Sequence, residues 1–314
     1  MLARVAGRIY WMSRQMERAE SMARILGVTS NLVLFGESDL QRQNLLAPLV
    51  ITGSAEAFFE RHEELSVEAL IEFLALDRDN PSSIVCCLDW ARENAHAVRW
   101  QITSEMWETL NATWLEVRAL DPKRITGAGA NRFLDWVKER SHLFRGVTYG
   151  TIMRGEAFNF SRLGTFLERA DNTARILDVK YHVLLPSVDD VGGALDYYHW
   201  QSILRAVSAL RSYHWVYNER LQPWLVAELL ILRPEMPRSL LACFTQVSRQ
   251  LDLIADGYGG RRGECHRRAG ALHARLRYGR IDTIFQAGLH EFLTEVIDQT
   301  AVLGQDISTF YLIS

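Results

Sequence analysis

The sequence has few cysteines and few prolines, and each shortage excludes a class of protein. Its four cysteines form no C-x-x-C pair and no zinc-type spacing, which argues against a disulfide framework and a zinc finger. With seven prolines and 48% hydrophobic residues, the chain is not of the disordered type. The thiols are expected to be reduced and mostly buried, at Cys86, Cys87, Cys243 and Cys265.

Long apolar runs and strong charge of one sign are missing as well. No stretch approaches the roughly 18 apolar residues that a membrane span needs, and the first residues are interrupted by charges, unlike a signal peptide. The 35 basic and 38 acidic residues leave a net charge of −3, which gives no support for nucleic-acid or membrane-surface binding. We therefore expect a folded cytoplasmic protein.

What the sequence does contain is helical periodicity along almost its whole length. Apolar residues recur with a 3.6-residue period, and alternating strand-like runs are essentially missing. Breaks fall at segments rich in proline, glycine and acidic residues, such as 77–83 and 184–193. The pattern predicts an all-α, multi-helix bundle with helices near 3–27, 40–60, 66–76, 82–119, 128–147, 151–184, 190–218, 223–232, 238–257, 264–277 and 281–312.

Two segments of the chain are repeated in order. ERAESMARIL at 17–26 returns as ERADNTARIL at 168–177, a shift of 151 residues. FLALDRDNPSSI at 73–84 aligns with LLILRPEMPRSL at 229–240, a shift of 156. We interpret this as an internal duplication, roughly 1–147 and 151–314, that builds two pseudo-symmetric helical repeats. Because no long Pro/Ser/Gly linker separates them, a single domain over 1–314 is expected.

The repeated helix places an arginine in an apolar sector. At 100° per residue, Glu17 shares a polar stripe with Arg24, whereas Arg18 falls among apolar side chains. In the second copy Arg169 has the same position as Arg18, and Arg162 lies on its side of the helix. A buried arginine must be paired. Either carboxylates of neighbouring helices pair with Arg18 and Arg169, or these arginines line a cavity and bind an anionic ligand.

A further cationic face is predicted on the helix expected over 82–119. Arg92, His96 and Arg99 fall on its apolar stripe, which indicates a core-facing position that requires anions. The second half has Ser248, Asp252 and Ala255 at the matching positions, so a single site or simple drift both explain the difference.

No metal site is expected at this face. Glu93 and His96 match the Glu-x-x-His spacing of helical di-iron proteins. A di-iron site needs a second such motif, and the matching half of the sequence has no copy of it.

The order of these motifs resembles the alpha-E domain family over nearly the whole chain. The resemblance is carried by Glu17-Arg18 and Glu168-Arg169 with their following Ala-Arg, NPSS at 80–83, ARENA at 91–95, PRS at 237–239 and GLHEFL at 288–293. It implies a helical fold and an association with circularly permuted ATP-grasp proteins, often with a transglutaminase-like protein nearby. It also implies that any ATP is bound by the partner ligase, with no cofactor on this chain.

These observations lead to two functional hypotheses. In the first, the chain is an accessory or catalytic component of an ATP-grasp-linked peptide- or amide-modification system and binds an anionic peptide. Arg18, Arg92, His96, Arg99, Arg162 and Arg169 would bind the substrate's carboxylate or phosphate. Glu17 or Glu168 would act as a general base if exclusion of water raised its pKa. In the second, the chain is a non-enzymatic scaffold and its Glu-Arg pairs are structural.

Overall fold

The computed structural model describes residues 1–32, 38–125, 127–183 and 194–312. Within these ranges the chain forms fifteen α-helices and no strand, which confirms the predicted all-α class. In the first half the helices are α1 (Ala3–Leu32), α2 (Ser38–Thr52), α3 (Ala55–Phe59), α4 (Val67–Ile71), α5 (Ile84–Ala97), α6 (Ser104–Ala119) and α7 (Ala128–Thr151). In the second half they are α8 (Glu156–Val183), α9 (Ala194–Ala206), α10 (Leu210–Tyr217), α11 (Pro223–Ile231), α12 (Leu240–Gly257), α13 (Glu264–Arg277), α14 (Ile281–Ala287) and α15 (Leu289–Ile307).

The two longest helices, α1 and α8, cross in the centre of the bundle. At the crossing the hydroxyls of Ser13 and Ser161 are hydrogen bonded at 2.8 Å. A Cβ atom on Gly164 would lie 2.3 Å from the carbonyl oxygen of Tyr10, so this approach requires glycine. The helices bearing the two Glu-Arg motifs are thus in direct contact.

Other helices surround this central pair. Helices α5 and α7 pack against α1, and α12 and α15 pack against α8. Helix α2 crosses over to α8, whereas α9 packs against α1. The central pair is therefore covered on most sides, and both carry deeply buried residues such as Ile9 and Leu163.

The two Pro-x-Ser turns lead into α5 and α12. The hydroxyl of Ser83 accepts a hydrogen bond from the amide of Cys86 at 3.3 Å, and Ser239 accepts one from Ala242 at 3.0 Å. Both serines are N-caps, which satisfy amides that a helix start leaves unpaired. The residue before each cap, Ser82 or Arg238, therefore projects from a fixed turn.

Four predicted helices are interrupted in the structure. The helix expected over 40–60 breaks at Gly53, where φ is 64°. The helix expected over 82–119 stops at Ala97 and resumes at Ser104, with Thr103 as the new N-cap. The helix over 190–218 breaks near Ser208, and the one over 281–312 breaks at Gly288, where φ is 57° and 98°. These left-handed conformations end a helix.

Two expectations about the environment of the chain can be compared with the fold. No helix in the described ranges is both long enough and apolar enough to cross a membrane. All four cysteines are free and buried, as predicted.

Candidate functional site

Two ion pairs join the Glu-Arg motifs of α1 and α8 across the centre of the bundle. Arg169 donates from Nε and Nη2 to the carboxylate oxygens of Glu17, at 2.8 and 2.9 Å. Arg18 donates from the same two nitrogens to Glu168, at 2.6 and 3.3 Å. Each glutamate therefore pairs with the arginine of the other motif. The sequence left two alternatives for Arg18 and Arg169, and the structure shows the first: both arginines pair with carboxylates of neighbouring helices.

Further arginines complete a cluster around two buried carboxylates on the α1 side. Arg238 donates to Glu17 Oε1 at 2.8 Å and to Glu20 Oε1 at 2.7 Å, so that its guanidinium bridges the two carboxylates. Arg145 of α7 contacts the same two glutamates, which are 2% and 0% exposed. We call this group the closed cluster: Glu17, Glu20, Arg24, Arg145, Arg169 and Arg238.

The closed cluster keeps its carboxylates ionised. Burial alone would raise the pKa of Glu17, but the guanidiniums of Arg169 and Arg238 outweigh it and lower the pKa to about 2. Burial is likewise outweighed at Glu20, where His142, Arg238 and Arg145 lower the pKa.

The predicted general-base role is not supported by these pKa values. It required a raised pKa at Glu17 or Glu168. The pKa of Glu168 is also lowered, because Arg14 and Arg18 outweigh burial. Fully paired carboxylates of low pKa are weak bases at neutral pH.

The second motif forms a smaller group, which we call the open cluster: Arg14, Arg18, Glu168, Asp171 and Arg175. Arg14 donates to Glu168 Oε2 at 2.7 Å, beside Arg18. Arg175 donates to Asp171 Oδ2 at 2.8 Å. Burial raises the pKa of Asp171 despite the neighbouring Arg175 guanidinium. The ionised form of Asp171 is therefore much less well stabilised than that of Glu20, the acid at the matching position of the first motif.

A cavity of about 180 Å³ adjoins the open cluster. The side chains of Arg18 and Arg175 are 26% and 34% exposed, so the cavity opens to solvent. The Nδ2 atom of Asn172 is buried there, without a hydrogen-bond partner among the residues that the structure describes. The lining combines both signs of charge with apolar walls: Arg18, Met22, Ile25, Ile51, Thr52, Ser82, Glu168, Asp171, Asn172 and Arg175.

Arg162 differs from the paired arginines. Its guanidinium lies over the ring of Phe166 at 4.4 Å, and it makes no ion pair with a carboxylate in the described ranges. Burial and the charge of Arg169 lower its pKa to about 10. Nearby, Arg154 lies 4.2 Å from the ring centres of Tyr149 and Phe158. This region of α7 and α8 is an aromatic surface that carries guanidinium groups.

The predicted core-facing position of Arg92, His96 and Arg99 is wrong. Arg92 is partly exposed and pairs with Glu93, and the other two are exposed. All three surround the ring of Trp107, at 5.4, 5.6 and 5.2 Å. Because α5 ends at Ala97, Arg99 does not continue the helical register of Arg92.

Seven members of the two clusters were not predicted from the sequence as site residues: Arg14, Glu20, Arg24, Arg145, Asp171, Arg175 and Arg238. For Arg238 the sequence did contain a signal: it lies in the repeated Pro-x-Ser turn, at the position that Ser82 occupies in the first copy. Cys87 and Cys243 also differ by 156 residues. Burial raises the pKa of each thiol to about 12, beside Arg18 and Arg169 respectively.

No group of three or more His, Cys, Asp and Glu side chains that could hold a metal ion is found within the described part of the chain. Comparison with known proteins gives one match. The Alpha-E family model, described as a predicted alpha-helical domain with a conserved ER motif, matches residues 1–312. No curated protein and no solved structure matches the chain. The adjacent glutamate and arginine in α1 and in α8 fit that description.

Proposed function

The chain belongs to the Alpha-E family, and from this premise we propose that it is the binding component of an ATP-grasp-linked peptide- or amide-modification system. In this proposal it holds a carboxylate or phosphate group of a peptide substrate. The circularly permuted ATP-grasp partner binds ATP, and a transglutaminase-like protein can act on the same peptide. The free, buried thiols suit a cytoplasmic setting.

Arg162 is the observation that carries the anion-binding part of this proposal. Arg18 and Arg169 are committed to internal carboxylates, and Arg92 to Glu93. Arg162 is partly buried and forms no ion pair with a carboxylate among the described residues. Its pKa is lowered because desolvation and the repulsion of Arg169 outweigh the attraction of Glu17. An anion beside it would relieve both costs through charge-assisted hydrogen bonds. Binding is proposed here without a catalytic role for Glu17 or Glu168, because their pKa values are lowered.

We also infer that the two halves descend from one helical unit. The shift that relates Ser82 to Arg238 also relates the N-caps Ser83 and Ser239, and it brings the start of α2 onto that of α9. The exchanged packing of α2 on α8 and of α9 on α1 supports a twofold relation between them.

The rival function is a non-enzymatic scaffold. It is favoured by the complete pairing of Glu17 and Glu20 with arginines of the same chain. Such a protein would bring partners together through its surface and would bind no small anion.

The test compares Arg162→Met with Arg132→Met, a change at an exposed arginine of α7. Calorimetric titration with an acidic peptide, a phosphopeptide and inorganic phosphate measures affinity, and pull-down measures association with an ATP-grasp protein. We expect Arg162→Met to weaken anion binding at least about tenfold, since it removes a charge-assisted contact. Equal binding by both variants would refute the anion site. Pull-down without anion binding by the wild type would establish the scaffold.

A further inference from the structure

The cavity beside the open cluster lies where the closed cluster holds an arginine. In the closed cluster, Arg238 is the residue before the N-cap Ser239, and its guanidinium bridges Glu17 and Glu20. In the other half, Ser82 precedes the N-cap Ser83 and lines the cavity. Its hydroxymethyl group is too short to reach across as Arg238 does.

The residues that line the cavity also correspond to residues around Arg238 in the closed cluster. Arg24, a member of the closed cluster, donates a hydrogen bond to the hydroxyl of Ser208. The residue 156 positions before Ser208 is Thr52, which lines the cavity together with Arg175, the counterpart of Arg24. The cavity thus retains the surroundings of a guanidinium group without the group itself.

Glu20 and Asp171, the acids at matching positions of the two clusters, also differ in the number of side chains that donate hydrogen bonds to them. Glu20 accepts from Arg24, Arg238, Arg145 and Ser141. Asp171, in the described part of the chain, accepts a side-chain hydrogen bond from Arg175 alone, at Oδ2. Asp171 is partly buried, and an incompletely paired carboxylate in such a place costs free energy that a donor would recover.

The charge balance permits one more cation. The closed cluster places four arginines around two carboxylates, whereas the open cluster places three around two. A guanidinium in the cavity would make the two arrangements equal, even though Arg18 and Arg175 face the same space. The volume of about 180 Å³ is below the roughly 300–1,000 Å³ of a drug-sized pocket, so it suits one side chain rather than a whole ligand.

We propose that this cavity is a binding site for a guanidinium group, which bridges Glu168 and Asp171 as Arg238 bridges Glu17 and Glu20. Asn172 Nδ2 supplies a donor at the cavity wall for an oxygen of the same ligand. The site is separate from Arg162 and does not depend on the anion-binding proposal.

The first test titrates the full chain with ethylguanidinium at constant ionic strength. Ethylammonium, a cation without the guanidinium fork, and acetate, an anion, serve as comparison probes. Calorimetry and thermal unfolding should show binding and stabilisation by ethylguanidinium above either other probe. An arginine-containing peptide and free arginine then distinguish a peptide from a small-molecule source. No stabilisation by ethylguanidinium, or equal binding of ethylammonium, would overturn the proposal. Preferential binding of acetate would also overturn it.

Two variants locate the binding. Asp171→Asn should reduce ethylguanidinium affinity at least about tenfold, because it removes the acceptor charge without a change in size. Ser82→Arg should abolish binding and raise the melting temperature, because it places an internal guanidinium in the cavity. Unchanged affinity in Asp171→Asn refutes the site even if Ser82→Arg does not fold. Arg162→Met should bind ethylguanidinium normally, and this control separates the cavity from the anion site.

Discussion

The two Glu-Arg motifs of this protein share seven of ten residues, yet the first lies among fully paired carboxylates and the second borders a cavity. The helices that carry them contribute nearly the same charges to the centre of the bundle. The difference comes from elsewhere in the chain, because Arg145 and Arg238 reach the first motif, whereas Ser82 faces the second. The lesson is that a repeated motif can hold helices together in both places and remain accessible in only one.

The acids at matching positions show the same difference in their ionisation. The pKa of Glu20 is lowered, because His142 and the arginines outweigh burial. The pKa of Asp171 is raised by burial, which Arg175 does not outweigh. Folding therefore stabilises the charge of one acid and opposes the charge of the other.

The largest effect that would test this comparison is expected from Glu17→Gln. It leaves the buried Arg169 without its carboxylate and removes one of the two carboxylates that Arg238 and Arg145 contact, so it should lower the free energy of unfolding by about 3–5 kcal/mol. Asp171→Asn should change it by no more than about 1 kcal/mol, since Arg175 can turn to solvent. Urea unfolding measures both, with the m-value as a check on cooperativity. Equal losses would show that the two clusters are energetically alike.

A smaller effect should appear in the pH dependence of stability. Glu17 has a folded pKa of about 2, below its unfolded value near 4.5, so its contribution is present above pH 4.5 and is lost as pH falls towards 2. The loss should be on the order of 1–3 kcal/mol, and it should be reduced in Glu17→Gln.

Asp171 should respond to pH with the opposite sign. Its folded pKa lies above the unfolded value of 3.8, so its contribution is present below that pH and is lost as pH rises through the folded pKa. Thermal unfolding of the wild type, Glu17→Gln and Asp171→Asn between pH 2 and pH 6 resolves the two contributions. The same sign in both variants would contradict the contrast.

The smallest expected difference concerns the thiols beside the two arginines. Cys87 and Cys243 are buried with pKa values of about 12, so alkylation of the native protein should be about a hundredfold or more slower than that of an exposed thiol. Mass spectrometry after iodoacetamide treatment assigns each site. Equal alkylation rates at Cys87 and Cys243 would show that α5 stays packed beside the cavity. A faster rate at Cys87 would show that α5 opens on that side.

Much of the fold followed from local patterns. The 3.6-residue period and the breaks gave the all-α class, and the repeats located both Glu-Arg helices. The interruption near Val98 was missed because AHAVRWQITSEMW contains no proline or glycine. Its signal was the N-cap Thr103, a residue that also occurs within helices.

The candidate site was harder to predict because its partners are distant in sequence. A helical wheel assigns Glu17 to a polar stripe but cannot tell whether that stripe faces water or buried arginines. In the structure Glu17 is more buried than Arg18, because Arg238 lies 221 residues away in the chain and 2.8 Å away in space. The cavity depends on an absence, a serine where the other half has arginine, and a single-sequence pattern does not report the space this leaves.

The exchanged pairs have a consequence for how the chain is made. Glu17 and Arg18 find their partners about 150 residues later, and a ribosome adding about 5–20 residues per second needs roughly 8–30 s to reach them. Throughout that interval α1 carries charges that oppose its burial against the growing chain. The same ions that fasten the finished bundle thus delay its closure until α8 has emerged.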